Sequence, residues 1–471
     1  MSGLTVEVRH QPVLDPGFVP AVLWERAFAE RVAADPRSAP VVLCVRRRDG
    51  TVFREETAVL PHLGGDVALN LKHVERLIKA LLWVNGGSEI LVGGHPQLAE
   101  ALAAVYSRSG SRAFDYDVVG RRIYGDDMAV RSIAIDDAPA PRVTTMPLGR
   151  NLDGCRIGFD LGGSDRKSAA VIDGRVVHAE EVEWSPYFES DPGYHFAGIM
   201  DSLERAAAHL PRVDAIGGSA AGVYVDNEPR VASLFRGIKD PDFEAHIRPL
   251  FRRVRSAWND VPFEVVNDGE VTALAASMSL DAGRLLGISM GTSMAAGYCD
   301  ADGHITSRLN ELAFAPVDYR EDAPADEWSG DIGCGVQYFS QQAVSRLAAT
   351  AGLDLPQDMP FADRLKEVQS RMATGDPRAR AIYETIGAYL GYSIAWYARW
   401  YDLRHLLVLG RVTSGEGGGV MIETARAILA DEFPELAGAI AISTPDEQFK
   451  RHGQAIAAAS LPRIAPKEAT E

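Results

Sequence analysis

Three glycine-rich turns are the parts of the sequence whose residue types could do chemistry. They read "DLGGSDRK", "SMGTSMAAG" and "GRVTSGEGGG", and each follows an apolar run. Successive backbone N–H groups in such turns can point at one anion, and glycine leaves room for the anion to come close. A single turn of this kind is more often a plain hairpin. Three of them in one chain favour a phosphate-binding role.

The segments around these turns predict an α/β protein. "RIGFDLGG", "SAAVIDG" and "RVVHAEEVEW" predict three strands, with Asp173-Gly174 as a hairpin turn. "PFEVVNDGEVTALAASMS" predicts a strand that runs into a helix. Residues 1–145 alternate helical and strand patterns, and the segment after them is rich in Pro, Gly and Asp. We expect an N-terminal α/β domain over 1–145 and a linker over 146–154.

In their order and spacing, these motifs resemble the ROK family of sugar kinases and related proteins, within the actin/hexokinase superfamily. "IGFDLGGSDRKSAAVIDG" and "GISMGTSMAAG" look like its two phosphate loops. "VVNDGEVTALAAS" looks like the segment with its catalytic Asn-Asp pair, and "LGYSIAWYARWYDLRHLLVLGRVTSG" is similar to the element that covers the adenosine. The resemblance spans residues 155 to 465 and does not include the segment before residue 150.

The resemblance implies an α/β fold with two actin-like (ribonuclease H-like) lobes around an ATP cleft, preceded by the separate α/β domain. Each lobe would hold a five-stranded sheet flanked by helices. The first lobe would cover 155–268 and the second 269–465, and the C-terminal helix could return to the first. Cleft closure would bring phosphate and acceptor together and exclude water.

The resemblance also assigns roles to residues of this chain. Asp268 would be the general base that accepts the proton of the acceptor hydroxyl. Asp160 would position Mg²⁺, through water, beside the phosphates of ATP. The nucleotide would be bound by the turn residues Gly162, Gly163, Ser164, Lys167, Gly291, Thr292, Ser293, Gly410, Thr413, Ser414 and Gly417. The acceptor, a sugar or polyol, would contact Asn267, Glu311, Ser219 and Asn227.

Several of these residues have a plain structural alternative. Asn267 and Asp268 could cap the helix that starts near Gly269, because both residue types are favoured there. Asp160 could be a solvated turn residue, and Lys167 a solvated hairpin lysine. Asn227 could equally hold a turn. The position of the Asn-Asp pair between two phosphate-type turns favours the catalytic alternative for Asp268.

One segment departs from the family pattern. Glu311 is retained, but Phe314 stands where the family has a sugar-contacting His, and Val336 where it has a Glu. Three positions of the family's zinc-binding cysteines carry Glu327, Ser329 and Cys334. One thiol cannot make a tetrahedral structural site, so no zinc is expected. The usual hexose cannot be assumed either; Trp328 and Tyr338 could form an aromatic floor for a sugar ring or simply pack in the core.

Composition excludes several other classes of protein. The chain of 471 residues has 48 basic and 65 acidic side chains, for a net charge of −17, which disfavours a nucleic-acid-binding surface. The N-terminus lacks the basic start and apolar core of a signal peptide, and no apolar run approaches a membrane span. The four cysteines lie far apart. We expect a cytoplasmic protein without a membrane partner, and a homo-oligomer stays open.

The sequence leaves three candidate functions open. The first is an ATP-dependent sugar kinase, and the second a catalytically altered regulatory protein that binds sugar or nucleotide on the same fold. A DNA-binding repressor is disfavoured, because residues 1–145 predict α/β structure without a basic recognition helix. The third is an ATP hydrolase that drives a conformational change.

Overall fold

A computed structural model describes residues 4–143, 147–445 and 447–465. The chain forms two compact units, each built from three separate segments. Unit 1 comprises residues 1–144, 288–296 and 307–444, and unit 2 comprises residues 145–287, 297–306 and 445–471.

Unit 1 begins with a four-stranded mixed sheet in the order β2-β1-β3-β4. The elements of this part are α1 (Ala21–Ala34), β1 (Ala39–Arg46), β2 (Val52–Val59), α2 (Asp66–Asn85), β3 (Glu89–Gly93), α3 (Pro96–Val105), α4 (Ala113–Asp115) and β4 (Ala129–Ile133). Strand β1 is antiparallel to both of its neighbours, and β3 is parallel to β4. A π-helical turn over Tyr116–Ile123 continues α4. The α/β prediction for this segment is therefore confirmed.

Unit 2 is built on a five-stranded sheet in the order β11-β8-β5-β6-β7. Its elements are β5 (Cys155–Leu161), β6 (Asp165–Ile172), β7 (Arg175–Glu183), α5 (Pro192–Ala207), β8 (Ala215–Ala220), β9 (Val223–Val225), β10 (Glu228–Val231), α6 (Asp240–Asp242), α7 (Leu250–Ala257), β11 (Phe263–Asn267) and α8 (Asp268–Leu280). Strands β5, β6 and β7 form an antiparallel meander, and β8 and β11 run parallel to β5. Asp173 and Gly174 both have positive φ at the β6–β7 turn, as the hairpin prediction requires.

A second sheet has four strands in the order β13-β12-β14-β15. The elements here are β12 (Leu285–Met290), β13 (Met294–Cys299), α9 (Gln341–Thr350), α10 (Phe361–Ala373), α11 (Pro377–Tyr397), β14 (His405–Leu409), α12 (Glu416–Glu432), α13 (Pro434–Ala437) and β15 (Ala441–Ser443). The described residues thus give four strands where the family resemblance implied five. Helices α11 and α12 pack closely at Gly387, where a Cβ would lie 2.6 Å from the Met421 carbonyl oxygen.

The first 144 residues do not form a unit of their own. The Tyr389 hydroxyl donates to Asp15 over 2.6 Å, and the Tyr319 N–H donates to the Val19 carbonyl over 2.9 Å. Such buried contacts extend the core from this segment into residues 307–444, so the structure differs from the expectation of a separate N-terminal domain. The described part of the predicted linker, residues 147–154, belongs to unit 2.

Helix α14 (Glu447–Ala459) completes unit 2. It lies on Gly158 of β5 and Gly217 of β8, which are cross-strand neighbours. A Cβ at Gly217 would fall 1.7 Å from the Ala458 carbonyl oxygen, so glycine alone admits the helix backbone. Helix α8 also packs on α14 within this unit. The predicted lobe boundary after Asp268 therefore differs from the structure, while the C-terminal helix does return to the first sheet.

Two long helices, α2 with 20 residues and α11 with 21, approach the length of a membrane span. Helix α2 carries charged side chains such as Glu75, Arg76 and Lys79 within its length. In the part of the chain that the structure describes, no helix combines the length and the apolar character needed to cross a bilayer.

Candidate active site

The carboxyl ends of three parallel strands of unit 2 bring the main candidate residues together. Asp160 near the end of β5 pairs in register with Ser219 of β8, and Ala220 of β8 pairs with Asn267 of β11. Asp268 follows directly as the first residue of α8. Ligands of open α/β sheets bind at this edge, so the topology assembles the set that the sequence predicted.

Asp160 is a half-buried carboxylate with polar neighbours on both sides. Its cross-strand partner on β6 is Lys167, whose Nζ lies 3.2 Å from Asp165. Burial raises the pKa of Asp160, and the Ser219 hydroxyl and the Lys167 charge oppose that rise without cancelling it. Asp160 is thus an integrated strand residue and differs from a solvated turn aspartate.

Asp268 is half-buried at the N-terminus of α8. Burial, and then the nearby negative charge of Asp160, raise its pKa to about 6, although the Gly269 N–H donates to it over 2.9 Å. Burial and then the charge of Asp268 also raise the pKa of Tyr224. A carboxylate with a pKa close to neutral can both hold and release a proton at physiological pH.

Asn267 is the N-cap of α8, as its structural alternative predicted. Its Oδ1 accepts from the Gly269 N–H over 2.7 Å, and its Nδ2 donates to the Gly222 carbonyl over 2.7 Å. The side chain therefore joins the β8–β9 loop to the start of α8. Its main role in the described structure is to hold Asp268 in place.

Asn227 lies in the turn between β9 and β10, next to Asp226, and both residues have positive φ. Its Nδ2 donates to the Phe263 carbonyl over 3.1 Å, and its Oδ1 accepts from the Val265 N–H over 2.6 Å. These bonds place the amide against the first half of β11, away from the residues at its carboxyl end. Asn227 thus has the turn role that the sequence left open.

The first glycine turn closes the β5–β6 hairpin. The Gly162 N–H donates to the Asp165 carbonyl over 2.9 Å, and the Ser164 hydroxyl donates to the Asp165 carboxylate over 2.8 Å. A Cβ on Gly163 would lie 2.2 Å from the Tyr187 ring, so packing requires this glycine. Packing within the fold therefore requires a glycine in this turn, independently of any ligand that the turn binds.

Two further side chains of unit 2 lie close to the candidate residues and are not indicated by the sequence. The Arg236 guanidinium lies 3.9 Å from the centre of the Tyr187 ring, which itself covers Gly163. The second is Tyr224, beside Asp268, which lies two residues after the glycine-rich "GGSAAG" segment. The pairing of Arg236 with Tyr187 joins loops about 50 residues apart, and no local pattern indicates it.

The second glycine turn lies in unit 1, between β12 and β13. The Gly291 N–H donates to the Ser293 carbonyl over 2.9 Å, and Thr292 and Ser293 are exposed. A Cβ on Gly291 would meet only the Ser293 carbonyl oxygen, at 3.7 Å. The fold therefore leaves open space at Gly291.

The third glycine tract follows β14 in the same unit. Gly410 has a φ of 103°, and a Cβ there would lie 2.5 Å from the Met290 carbonyl oxygen at the end of β12. The second and third glycine tracts are therefore neighbours. The Thr413 hydroxyl donates to the Gly410 carbonyl over 2.9 Å, and Ser414 is exposed. Gly417 is buried against the Tyr383 ring at the start of α12.

Glu311 begins a turn in unit 1 that is bonded to helix α2. Its N–H donates to the Trp83 carbonyl over 2.9 Å, and its carbonyl accepts from the Phe314 N–H over 3.1 Å. Tyr338 is fully buried and donates to Asp318 over 2.7 Å, so it is a core residue and no floor for a sugar.

The segment that would carry zinc in the family has other contacts here. Ser329 donates to Asp326 over 2.7 Å, and the Cys334 thiol lies 3.8 Å from the Ile332 carbonyl oxygen. Burial raises the pKa of Cys334 to about 11, which keeps its thiol protonated. Within residues 4–143, 147–445 and 447–465, no group of three or more His, Cys, Asp and Glu side chains is arranged to hold a metal.

The chemistry of the donors nevertheless fits Mg²⁺ that arrives with a nucleotide. Mg²⁺ keeps several waters and takes one or two carboxylates plus substrate phosphates, so it needs no cluster of three protein ligands. Asp160 and Asp268 are two such carboxylates, and the charge of one raises the pKa of the other. A divalent cation would relieve that repulsion.

Comparison with known proteins shows the fold. No protein-family model matches the chain, and no curated protein matches it. The ROK hexokinase from Thermus thermophilus is 19% identical, with a TM-score of 0.51 over 65% of this chain and 96% of the hexokinase. A ROK family transcriptional regulator, a homologue of the E. coli MLC protein, is 17% identical, with a TM-score of 0.50 over 66% of this chain and 79% of the regulator.

A ROK glucokinase from Streptomyces griseus, solved with glucose and AMPPNP, is 21% identical over 65% of this chain and 98% of the glucokinase, with a TM-score of 0.48. At these identities the comparison concerns the fold alone. Over 65% of its length, this chain has the actin-like α/β fold that the ROK hexokinase and the ROK regulator share.

Proposed function

We propose that the protein is an ATP-dependent phosphotransferase that phosphorylates a hydroxyl of a sugar or sugar-like acceptor. The observation that carries this proposal is the state of Asp268. It is a half-buried carboxylate with a pKa of about 6 at the carboxyl edge of the sheet. A general base works best when its pKa lies near the operating pH.

In the proposed reaction, Asp268 accepts the proton of the acceptor hydroxyl. The hydroxyl oxygen then forms a bond to the γ-phosphorus, the bond from that phosphorus to the bridging oxygen of ADP breaks, and ADP leaves with the electron pair. Asn267 keeps Asp268 in place through the helix cap. Mg²⁺, when bound with ATP near Asp160, would neutralise charge on the phosphates.

The glycine turns supply the groups for the nucleotide. In unit 2 these are Gly162, Gly163, Ser164 and Lys167, and in unit 1 they are Gly291, Thr292, Ser293, Gly410, Thr413, Ser414 and Gly417. Open space at Gly291 supports a close approach by phosphate. The N-terminus of α12 also favours negative charge.

Each unit contains polar groups that are candidates for binding the acceptor. Ser219 is fully buried beside Asp160 in unit 2. Glu311 lies on the turn beside Trp83 in unit 1. Asn227 stays a weaker candidate for acceptor binding, since both ends of its amide bond to β11.

A regulatory protein that binds sugar or nucleotide without turnover is the second candidate. It is favoured by the regulator with the same fold and by Phe314 and Val336, which replace polar family positions. An ATP hydrolase is the third candidate.

A single experiment separates the three candidates. ADP release is measured with and without a panel of sugars and polyols, for the wild-type protein and for Asp268→Asn. Sugar-dependent release that falls by about 10²–10⁴-fold in Asp268→Asn, with nucleotide affinity unchanged, supports the phosphotransferase. Sugar-independent release indicates a hydrolase, and no release indicates a regulator. Full transfer by Asp268→Asn would contradict the assigned base.

A further inference from the structure

Four aromatic side chains of unit 1 form a contiguous cluster, here called the aromatic patch: Trp83, Phe114, Phe314 and Trp328. Phe314 is its centre, with its ring centroid 4.5 Å from that of Trp83, 5.3 Å from Trp328 and 5.6 Å from Phe114. Trp328 also meets Phe114 edge-on at 4.9 Å. The patch joins residues from the first 144 with residues from the segment that departs from the family pattern.

The patch changes from fully buried to exposed across its width. Trp83 is 1% exposed, Phe114 and Phe314 are half-buried, and Trp328 is 56% exposed. A tryptophan that exposes more than half of its surface beside other aromatic rings leaves apolar area in water. Exposed apolar surface that joins a buried aromatic cluster makes this loop a candidate binding surface.

The loop that carries Trp328 is held firmly. The Asp326 N–H donates to the Asp331 carbonyl over 2.9 Å, and the Ser329 N–H donates to the Asp326 carboxylate over 2.7 Å. The Asp331 carboxylate bonds to Lys79 and Arg112, at 2.5 Å each. Exposure of Trp328 is therefore a property of an ordered loop.

The buried end of the patch is held by the same charges. The Trp83 indole N–H donates to Asp115 over 2.6 Å, and Asp115 also accepts from Lys79 over 2.9 Å. Lys79 has no exposed side-chain surface. A rigid aromatic surface loses little conformational entropy when a ligand binds, which favours tight stacking.

The patch is continuous with the proposed acceptor residue Glu311. One turn carries both Glu311 and Phe314, and the Glu311 N–H bonds to the carbonyl of Trp83 itself. The backbone of Glu311 thus lies next to two residues of the aromatic patch, Trp83 and Phe314.

We infer that the acceptor is a sugar or polyol that carries a planar, apolar substituent, and that this substituent stacks on Trp328 with its edge against Phe314, whose ring lies at 65° to that of Trp328. The inference rests on the proposed function for the identity of Glu311 as an acceptor contact. Aromatic faces bind planar groups through stacking and desolvation. The patch selects for such an acceptor over an unsubstituted hexose.

The test is a calorimetric titration of the full-length protein, without nucleotide, with two matched probes. Phenyl β-D-glucopyranoside has the planar group, and methyl β-D-glucopyranoside lacks it. We expect about tenfold tighter binding of the phenyl probe. Trp328→Ala should abolish that preference, Trp328→Phe should retain part of it, and the exposed apolar control Leu63→Ala should leave it unchanged.

Equal affinities for the two probes, no measurable binding of the phenyl probe, or an equal loss for both probes in Trp328→Ala would overturn the inference. So would a change in oligomeric state in Trp328→Ala with the preference intact, since the patch would then be an interface between copies. A phenyl preference without any sugar-dependent ADP release would overturn the phosphotransferase proposal alone. Sugar-dependent ADP release without a phenyl preference would overturn this inference alone.

Discussion

Each unit has a cluster of buried or half-buried acidic side chains. The two clusters differ in whether neighbouring cations compensate the negative charges. In unit 1, buried Glu75, Asp115 and Asp331 each lie within ion-pair distance of a buried cation, Lys79 or Arg112. In unit 2, Asp160 and Asp268 form no ion pair among the described residues, and the charge of one disfavours ionisation of the other.

The pKa values of Glu75 and Asp331 follow this difference, whereas burial raises the pKa of Asp115 although the charge of Lys79 opposes the rise. Burial opposes ionisation of Glu75 and Asp331, but the adjacent cations outweigh it and hold the pKa of both below the usual range. Burial raises the pKa of Asp160, and burial and Asp160 together raise that of Asp268. A compensated cluster is destabilised when one of its partners is removed, whereas an uncompensated one carries unfavourable energy that a substrate or a cation can relieve.

We expect the largest effect when the central cation of the unit 1 cluster is removed. Lys79→Met would leave Asp115 and Asp331 with less compensation in a buried site, and we expect a loss of about 3–5 kcal/mol in the free energy of unfolding. Denaturant unfolding measures it. The matched control is Lys366→Met, because the Lys366 side chain is 74% exposed and pairs with an exposed Asp363. Equal losses of unfolding free energy in the two variants would show that the buried network contributes no more to stability than a surface ion pair.

Removal of a charge from the unit 2 cluster should change the free energy of unfolding in the opposite direction. The folded-state pKa of Asp268, about 6, lies above its ordinary value of 3.8, so its favourable contribution is present below pH 3.8 and is lost as the pH rises through 6. Asp268→Asn should therefore stabilise the protein at pH 8 by up to about 3 kcal/mol, since each pKa unit corresponds to about 1.4 kcal/mol.

Unfolding of both proteins at pH 4 and pH 8 provides the comparison. The two should converge at pH 4, where the carboxyl group of Asp268 is protonated in the folded state. Destabilisation by Asp268→Asn at pH 8 would argue against an uncompensated carboxylate.

The same pKa predicts the pH dependence of activity. If Asp268 is the general base, kcat/KM should fall about tenfold for each pH unit below 6 and be flat above it, until another group titrates. Rates of ADP release from pH 4.5 to 8 test this. Asp268→Glu is a useful companion, because it retains a carboxylate and should shift the profile without removing it. A flat profile across pH 6 would exclude Asp268 from proton transfer.

We expect the smallest effects from alanine substitutions at two turn glycines of unit 1. Gly410→Ala should destabilise unit 1 by about 1–3 kcal/mol, because Gly410 has a φ of 103° and lies against Met290. Gly291→Ala meets only one atom at an ordinary contact distance and should leave stability within about 0.5 kcal/mol. If phosphate binds at Gly291, the KM for ATP should still rise in that variant. An unchanged KM would remove Gly291 from the nucleotide site.

Local patterns predicted the sheet edge of unit 2 well. The alternation of residues and the Asp173-Gly174 turn predict the β5–β6–β7 meander, and the strand-to-helix change in "EVVNDGEV" predicts the position of Asp268. The helix-cap alternative for Asn267 was also visible, since the cap depends on a bond only two residues along the chain.

Contacts between distant segments could not be predicted from a single sequence. Lys79 and Asp331 are 252 residues apart, and neither segment contains a signal for the other. For the same reason the α/β pattern of residues 1–144 looked like a domain of its own, although its core continues into residues 307–444. The aromatic patch has the same origin: Trp328 is an isolated tryptophan in the sequence and acquires its neighbours only on folding.

The packing of α14 on Gly158 and Gly217 has a consequence for synthesis on the ribosome. The sheet of unit 2 is translated by residue 267, but the helix that lies on its two glycines follows almost 200 residues later. Until α14 emerges, Gly158 and Gly217 lack the helix that covers them in the folded unit. Closure of such long-range contacts is slow, so we expect this face of the sheet to be completed late in folding.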